Sequence, residues 1–184
     1  MTNTAEPIEL SPANTAFSEL TPHYGGMCCE AAAFCLSENG HSNPVDASLR
    51  GCSSSTAQLA WLPPSTKAIA TYRDRDVAAE NGAYAVAIAL LNKTHGYQVV
   101  ERSAKGTGFD FWLGKAKGAL PFSEMVRLEV SGIFDGRLRV SARLSQKLKQ
   151  MNPTDATATG FAIVAEFSGP IVAVGEKEVS SGHK

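Results

Sequence analysis

Two acidic residues lie inside short strand-like runs of segment 97–133, and they constrain the fold more than any other feature of the sequence. Asp110 falls in the run Phe109–Leu113, and Glu129 falls in the run Val126–Ile133. Strand interiors disfavour charge, and a buried carboxylate without a partner is costly. Because side chains alternate along a strand, each acid is expected opposite the large apolar residues of its own strand. The 19-residue separation allows a hairpin that brings the two acids together.

The segments on either side of these strands predict two helices that carry charge. In the first, 76–94, Glu80 shares a stripe with apolar residues, so it is expected either to pair with an arginine such as Arg73 or to line a site. The second, 136–151, carries five basic residues and no acidic residue. A solvated face explains this pattern, and so does contact with a phosphate backbone. The residues predicted for contact with nucleic acid are Arg139, Arg143 and Lys147.

The whole chain is predicted to be an α+β protein. At 184 residues it is long enough for one domain with a small appendage. We expect an N-terminal arm, helix and hairpin extension over residues 1–75, with residues 1–22 loosely held. The core is expected over 76–175, followed by a polar tail over 176–184. The apolar run 161–167 predicts a strand near the middle of the sheet.

Charge and hydropathy exclude some function classes. The net charge of −1 and the pI of about 6.4 argue against a protein that grips nucleic acid by bulk charge, although a local basic patch remains compatible. No apolar run approaches the ~20 residues of a membrane span. The N-terminal segment has neither the basic region nor the apolar region of a secretion signal. We therefore expect a cytoplasmic protein without a membrane partner.

The cysteines permit two interpretations. They are Cys28, Cys29, Cys35 and Cys52. Their spacing lacks the paired C-x2-C motif of a structural zinc site, which favours buried, reduced thiols. His23 and His41 lie nearby in the sequence, so a metal or small-molecule site in the first third of the chain stays an alternative.

The predicted order of elements over residues 76–167 is helix, strand, strand, strand, helix, strand, with an acid on the first helix and on the second and third strands. This arrangement resembles the restriction-endonuclease-like nuclease superfamily, whose signature is an Asp followed by Glu-x-Lys. The resemblance implies a restriction-endonuclease-like core, a mixed four- to five-stranded sheet flanked by helices, here with an N-terminal helix-plus-hairpin extension. It also implies that Glu80, Asp110 and Glu129 bind Mg2+ or Mn2+ for phosphodiester hydrolysis of nucleic acid.

The runs GTGFDFWLG and RLEVSGI are also similar to uncharacterised bacterial proteins found near phage-defence genes, which implies a role in antiviral defence.

Two positions depart from the superfamily pattern. Ser131 stands at the lysine position of the predicted catalytic set, and Phe109 stands where the pattern has proline. A serine cannot supply the positive charge that orients the attacking water. Lys105, Lys115 and Lys147 are the candidate substitutes, and the sequence alone does not choose among them; Lys105 is included in the predicted catalytic set because it lies in a turn and is the freer to move.

Two alternatives follow from these departures. The chain is either a nuclease or a catalytically inactive, nuclease-like adaptor of a multiprotein defence complex, acting through a protein partner or as a homo-oligomer. A purely structural explanation also stands, in which Arg102, Arg127 or Arg143 neutralises the acids. Geometry separates these explanations, because metal ligands must converge within about 2.0–2.6 Å of one ion.

Overall fold

The fold was examined in a computed structural model, which describes residues 6–115, 125–152 and 158–179. Its strands are β1 (Ile8–Leu10), β2 (Val45–Arg50), β3 (Thr56–Trp61), β4 (Tyr97–Arg102), β5 (Phe111–Lys115), β6 (Val126–Ile133), β7 (Gly160–Glu166) and β8 (Ile171–Lys177). Its helices are α1 (Pro22–Glu38), α2 (Thr66–Thr71), α3 (Arg75–His95) and α4 (Val140–Gln150), with short 3-10 turns at Thr15–Phe17 and Arg137–Arg139.

All eight described strands belong to one curled, mixed sheet in the order β1-β3-β2-β8-β7-β6-β5-β4. The expected restriction-endonuclease-like sheet of four to five strands, with a separate helix-plus-hairpin extension, is therefore wrong. The β2–β3 hairpin does not stand apart. Instead β2 lies parallel to β8, with Ser48 opposite Ile171. This pairing satisfies backbone groups that would otherwise form an open sheet edge. The sheet thus takes strands from both sides of the boundary predicted near residue 75.

The N-terminal residues contribute to the sheet as well. Ile8 and Leu10 are only 5% and 2% exposed, and β1 pairs in parallel with β3. The prediction of a loosely held arm over residues 1–22 is wrong for this segment, because three residues are too few to show a strand period. β8 follows β7 after a short turn. It turns back antiparallel to β7, with Glu166 opposite Ile171.

Helix α3 is placed by its caps and by a close approach to β6. The Asp74 side chain accepts hydrogen bonds from the first helical N–H groups, and Gly96 ends the helix in the left-handed conformation at φ 73°. A Cβ on Gly132 of β6 would lie 1.9 Å from the Ala79 carbonyl oxygen. The helix backbone therefore rests directly on β6, and Glu80, the next residue of the helix, lies beside the end of that strand.

Strand β6 is covered on both faces. Leu128 and Val130 join the main apolar cluster with residues of α1 and α3. Its other face carries a polar row, which is buried. That row consists of Arg127, Glu129 and Ser131. Helix α4 covers it, since Val140 and Leu144 pack against residues of β6, β7 and β8 on this side. Within the described ranges, every helix is too short or too polar to cross a membrane.

Candidate functional site

The site forms where β5 and β6 separate. The described register pairs β5 with β6 only over Val126–Leu128, while β6 continues to Ile133. Just before β5, the backbone N–H of Asp110 donates to the Leu128 carbonyl at 2.8 Å. The Asp110 carboxylate then accepts the Val130 N–H through Oδ2 at 2.9 Å. A side chain thus takes the place of the next backbone partner, and the remaining edge of β6 opens onto a cavity.

Glu129 lies next to this contact and is bound to α4. The residue is 1% exposed. Its Oε1 atom accepts hydrogen bonds from Lys147 Nζ at 2.5 Å and from Gln150 Nε2 at 2.9 Å. Because these two residues are three positions apart on α4, they share one face of the helix. The structure therefore supplies a lysine at the acids, from a helix instead of from the strand position occupied by Ser131.

The two strand acids come together. Burial raises the pKa of the Glu129 carboxyl from 4.5 to about 7, and the charge of Asp110 adds to this effect, while Lys147 opposes it. A hydrogen-bond interaction with Asp110 raises the pKa further, and the Asp110 carboxylate accepts the N–H of Val130, the residue that follows Glu129. Like charges this close disfavour double ionisation. The pair is consequently under electrostatic strain that an added cation would relieve.

Tyr84 connects the third predicted acid to this pair. Its hydroxyl lies 3.3 Å from Asp110 Oδ1 and 3.5 Å from Glu80 Oε1. Burial raises the pKa of the Tyr84 phenol, and the charges of Asp110 and Glu80 raise it further, so the phenol keeps its proton. A single hydroxyl proton serves one carboxylate at a time. The sequence did not single out Tyr84; its position four residues after Glu80 puts the two side chains on one face of the helix but does not place the hydroxyl at Asp110.

A cavity of about 350 Å³ is lined by Val130, which binds Asp110, and by Lys147, which binds Glu129, although neither acid is itself a lining residue. The edge of strand β6 from Val130 to Ile133 forms the floor of the cavity, and one wall carries Asp76 and Glu80 of helix α3. The other wall is basic, and it carries Arg139, Arg143 and Lys147. Glu80 is exposed at this wall, and no ion pair with an arginine is seen for it among the described residues. An acidic wall facing a basic wall suits a ligand that combines a cation with an anion.

The other predicted site residues fall in different places. Ser131 lies at the cavity floor, and its Oγ accepts from Arg143 Nη1 at 3.0 Å. Lys105 is exposed between β4 and β5, and within the described part of the chain no contact joins it to Asp110 or Glu129. Lys115 Nζ lies 5.9 Å from the centre of the Tyr97 ring. Of the three candidate lysines, Lys147 forms an ion pair with Glu129.

The arginines considered as structural partners have other contacts. Arg127 donates from Nε to the Ala158 carbonyl at 2.8 Å and from Nη1 to the Met151 carbonyl at 3.0 Å. The Arg102 guanidinium lies over the Tyr84 ring at 5.4 Å from its centre and hydrogen bonds to the Tyr24 hydroxyl. Arg102 therefore supports the tyrosine that contacts Asp110.

The cysteines of the first third are mostly in the core. Burial raises the pKa of the thiols of Cys28, Cys29 and Cys35 to about 12, so these thiols stay neutral. His41 Nε2 contacts the Phe167 carbonyl oxygen at 2.8 Å. Across the described ranges, no three or more His, Cys, Asp or Glu side chains are grouped to hold a metal ion.

Asp110 and Glu129 alone still offer carboxylate oxygens that suit a hard divalent cation. Mg2+ is typically held by one or two carboxylates, with waters and substrate phosphates completing its coordination. Asp110 and Glu129 supply two neighbouring carboxylates close to a cavity with basic side chains. No family model, curated protein or solved structure matches this chain. The chemistry of this site is therefore the basis for inferring function.

Proposed function

We propose that this protein hydrolyses phosphodiester bonds of nucleic acid with Mg2+ or Mn2+ held by Asp110 and Glu129. The observation that carries the proposal is the Asp110 carboxylate bound to the Val130 N–H, directly after the buried Glu129 at the open edge of β6. Burial raises the pKa of Glu129, and repulsion from the charge of Asp110 adds to this rise. Lys147 offsets this repulsion only in part. A divalent cation offsets it more fully, because it attracts both carboxylates at once.

The protein's own residues position the reaction. Val130 N–H and Tyr84 hold the Asp110 carboxylate, and Lys147 holds that of Glu129. When bound, the cation would polarise the scissile phosphate and lower the pKa of a coordinated water. The Lys147 ammonium contributes the positive charge that Ser131 lacks, and it favours the negative charge that develops on phosphate oxygens.

The basic wall of the cavity binds the substrate. Arg143, oriented by Ser131, and Arg139 face the same cavity as Lys147. Guanidinium groups suit phosphate because their planar donors match two phosphate oxygens. The acids also lie on a helix, just before a second strand and on a third strand of the segment α3 to β7, close to the order on which the resemblance to nucleases rests.

The test is cleavage of labelled single-stranded and double-stranded DNA and RNA with Mg2+, with Mn2+ or with EDTA. We expect metal-dependent cleavage that falls by about 100-fold or more in Asp110→Asn, Glu129→Gln and Lys147→Met, as for loss of a charge-stabilising group. Lys149→Met is the matched control, because Lys149 is exposed two residues further along α4.

Two results would decide against hydrolysis. Cleavage that survives in the double variant Asp110→Asn, Glu129→Gln would place the chemistry elsewhere. Binding of nucleic acid without cleavage under any metal condition would favour the inactive adaptor. Circular dichroism of each variant shows whether a loss of activity reflects a loss of folding.

A further inference from the structure

One large apolar side chain of the protein is almost fully exposed beside the candidate site. Leu138 is 98% exposed in the 3-10 turn Arg137–Arg139, immediately before α4. Isolated exposed leucines are common and need no explanation by themselves. Leu138 is different because several interactions hold the backbone around it in place and because Arg139 lines the cavity.

A buried carboxylate anchors this turn. Glu166 is 2% exposed. Its Oε1 accepts the N–H groups of Gly136 at 3.1 Å and Ser168 at 3.0 Å, and its Oε2 accepts the Gly169 N–H at 3.1 Å. Burying a carboxylate is costly unless hydrogen bonds compensate. Here the compensating donors tie the turn before α4 to the connection between β7 and β8.

Two guanidinium groups flank the leucine and are also held. Arg137 Nη2 donates to the Ser168 carbonyl at 3.1 Å, and a Cβ on Gly169 would lie 1.8 Å from Arg137 Nε. Arg139 Nη2 donates to the Asp135 carbonyl at 2.5 Å. The turn is thus a fixed projection with an apolar tip between two positive charges.

The positive charge around Leu138 indicates which kind of partner this turn binds. Residues 136–151 carry five basic side chains and no acidic one. A protein partner that covers Leu138 would have to match this excess of positive charge, whereas a nucleic-acid duplex matches it along its whole length. Apolar side chains that enter between base steps are a known means of bending and unstacking a duplex.

We propose that Leu138 is a wedge that inserts between adjacent base pairs of a bound duplex, with Arg137 and Arg139 on the flanking phosphates. The inference rests on the proposed function for the position of the duplex. Leu138 and Lys147 are nine residues apart, which is about 13 Å along a helix. If α4 runs along the duplex axis, with about 3.4 Å between base pairs, the wedge acts about four base pairs from the phosphate at Lys147.

The experiment measures binding in EDTA, so that cleavage does not contribute. A set of duplexes carries 2-aminopurine at successive positions, since the fluorescence of this base rises on unstacking. We expect a fluorescence rise with the wild-type protein at one base step, and Leu138→Ala should abolish it. Removing a leucine that is buried on binding should weaken duplex affinity about tenfold or more. Affinity for single strands should stay unchanged.

Control variants separate the wedge from general effects. Leu62→Ala removes another exposed leucine, 72% exposed and just after β3, and should leave the fluorescence rise unaltered. Leu138→Met keeps an apolar tip and should preserve the rise. Equal duplex affinity and equal fluorescence for wild type and Leu138→Ala would overturn the proposal, as would failure of the wild type to bind duplex.

The experiments distinguish a failure of the wedge proposal from a failure of the proposed hydrolysis. Single-strand cleavage with Mn2+ needs no wedge, so Leu138→Ala should retain it. A wild-type protein that unstacks duplexes but cleaves nothing would refute hydrolysis and leave the wedge standing. Cleavage without any unstacking would refute the wedge alone.

Discussion

Replacing Glu129 with glutamine should stabilise the metal-free protein, and the gain should depend on pH. Burial and the neighbouring Asp110 raise the folded-state pKa of Glu129 from 4.5 to about 7. Folding therefore favours the protonated form, and ionisation of this group costs stability. The cost is absent below pH 4.5, grows as the pH rises, and is complete above pH 7. Such a shift corresponds to about 3 kcal/mol of unfolding free energy.

Glutamine keeps the shape of the side chain and removes the ionisation. Urea unfolding followed by tryptophan fluorescence, in EDTA at several pH values from 5 to 8, gives the free energy of unfolding of both proteins. We expect the variant to gain up to about 3 kcal/mol on the wild type between the two ends of this range. Glu101→Gln is the matched control, because Glu101 is exposed on β4 and solvent screens its charge.

Divalent metal should reverse this advantage. At pH 8, Mg2+ at about 100 times its dissociation constant should stabilise the wild type by about 2.7 kcal/mol. Glu129→Gln lacks the second carboxylate and should gain much less. A stability difference that stays constant from pH 5 to 8 would refute the repulsion between Asp110 and Glu129. Equal stabilisation of both proteins by Mg2+ would refute shared metal binding.

Three further substitutions test the surroundings of the site. Tyr84→Phe removes the hydroxyl that contacts two of the acids, and titration calorimetry should show about tenfold weaker Mn2+ binding. Unchanged affinity would mean that the hydroxyl does not orient a ligand. Gly132→Ala places a Cβ 1.9 Å from the Ala79 carbonyl oxygen and should cost about 3 kcal/mol or more of unfolding free energy, whereas Gly26→Ala, in open space on α1, should add about 0.5–1 kcal/mol. Similar effects of the two would contradict the close approach of α3 to β6. Glu166→Gln puts an amide donor opposite backbone N–H groups and should cost about 2 kcal/mol at neutral pH in the same urea assay.

Local sequence patterns predicted much of the secondary structure. The bounds predicted for the strand Val126–Ile133 are those observed, because alternation and flanking turn residues are local signals. The run Phe109–Leu113 forms a strand only from Phe111 onward. The joining of β2 to β8 was missed, since pairing between distant segments leaves no local period. β1 was missed because it has only three residues, and its burial depends on a neighbouring strand that lies some 50 residues away in the chain.

For the site, strand alternation correctly predicted that Glu129 faces away from Leu128 and Val130. Asp110 instead lies just before β5 and contacts Tyr84, which packs against Phe111. The lysine could not be chosen from sequence, because the reach of a side chain from α4 depends on how that helix packs. Ser131 was interpreted as the vacant lysine position, yet it has a contact of its own with Arg143. Tyr84 was missed because a tyrosine on an apolar stripe gives no sign of where its hydroxyl points.

The buried charges of the sheet differ in what holds them, and that difference identifies the reactive one. Glu166 is held by backbone N–H groups and Arg127 by backbone carbonyls. These partners belong to the fold and cannot be exchanged for a ligand. Glu129 is instead held by side chains of α4 and repelled by Asp110. Lys147 is 19% exposed at the cavity, so it can move aside for a cation or a phosphate. Above neutral pH, Glu129→Gln should therefore stabilise the folded protein and Glu166→Gln should destabilise it. Only the ionised carboxylate of Glu129 lowers the stability of the fold.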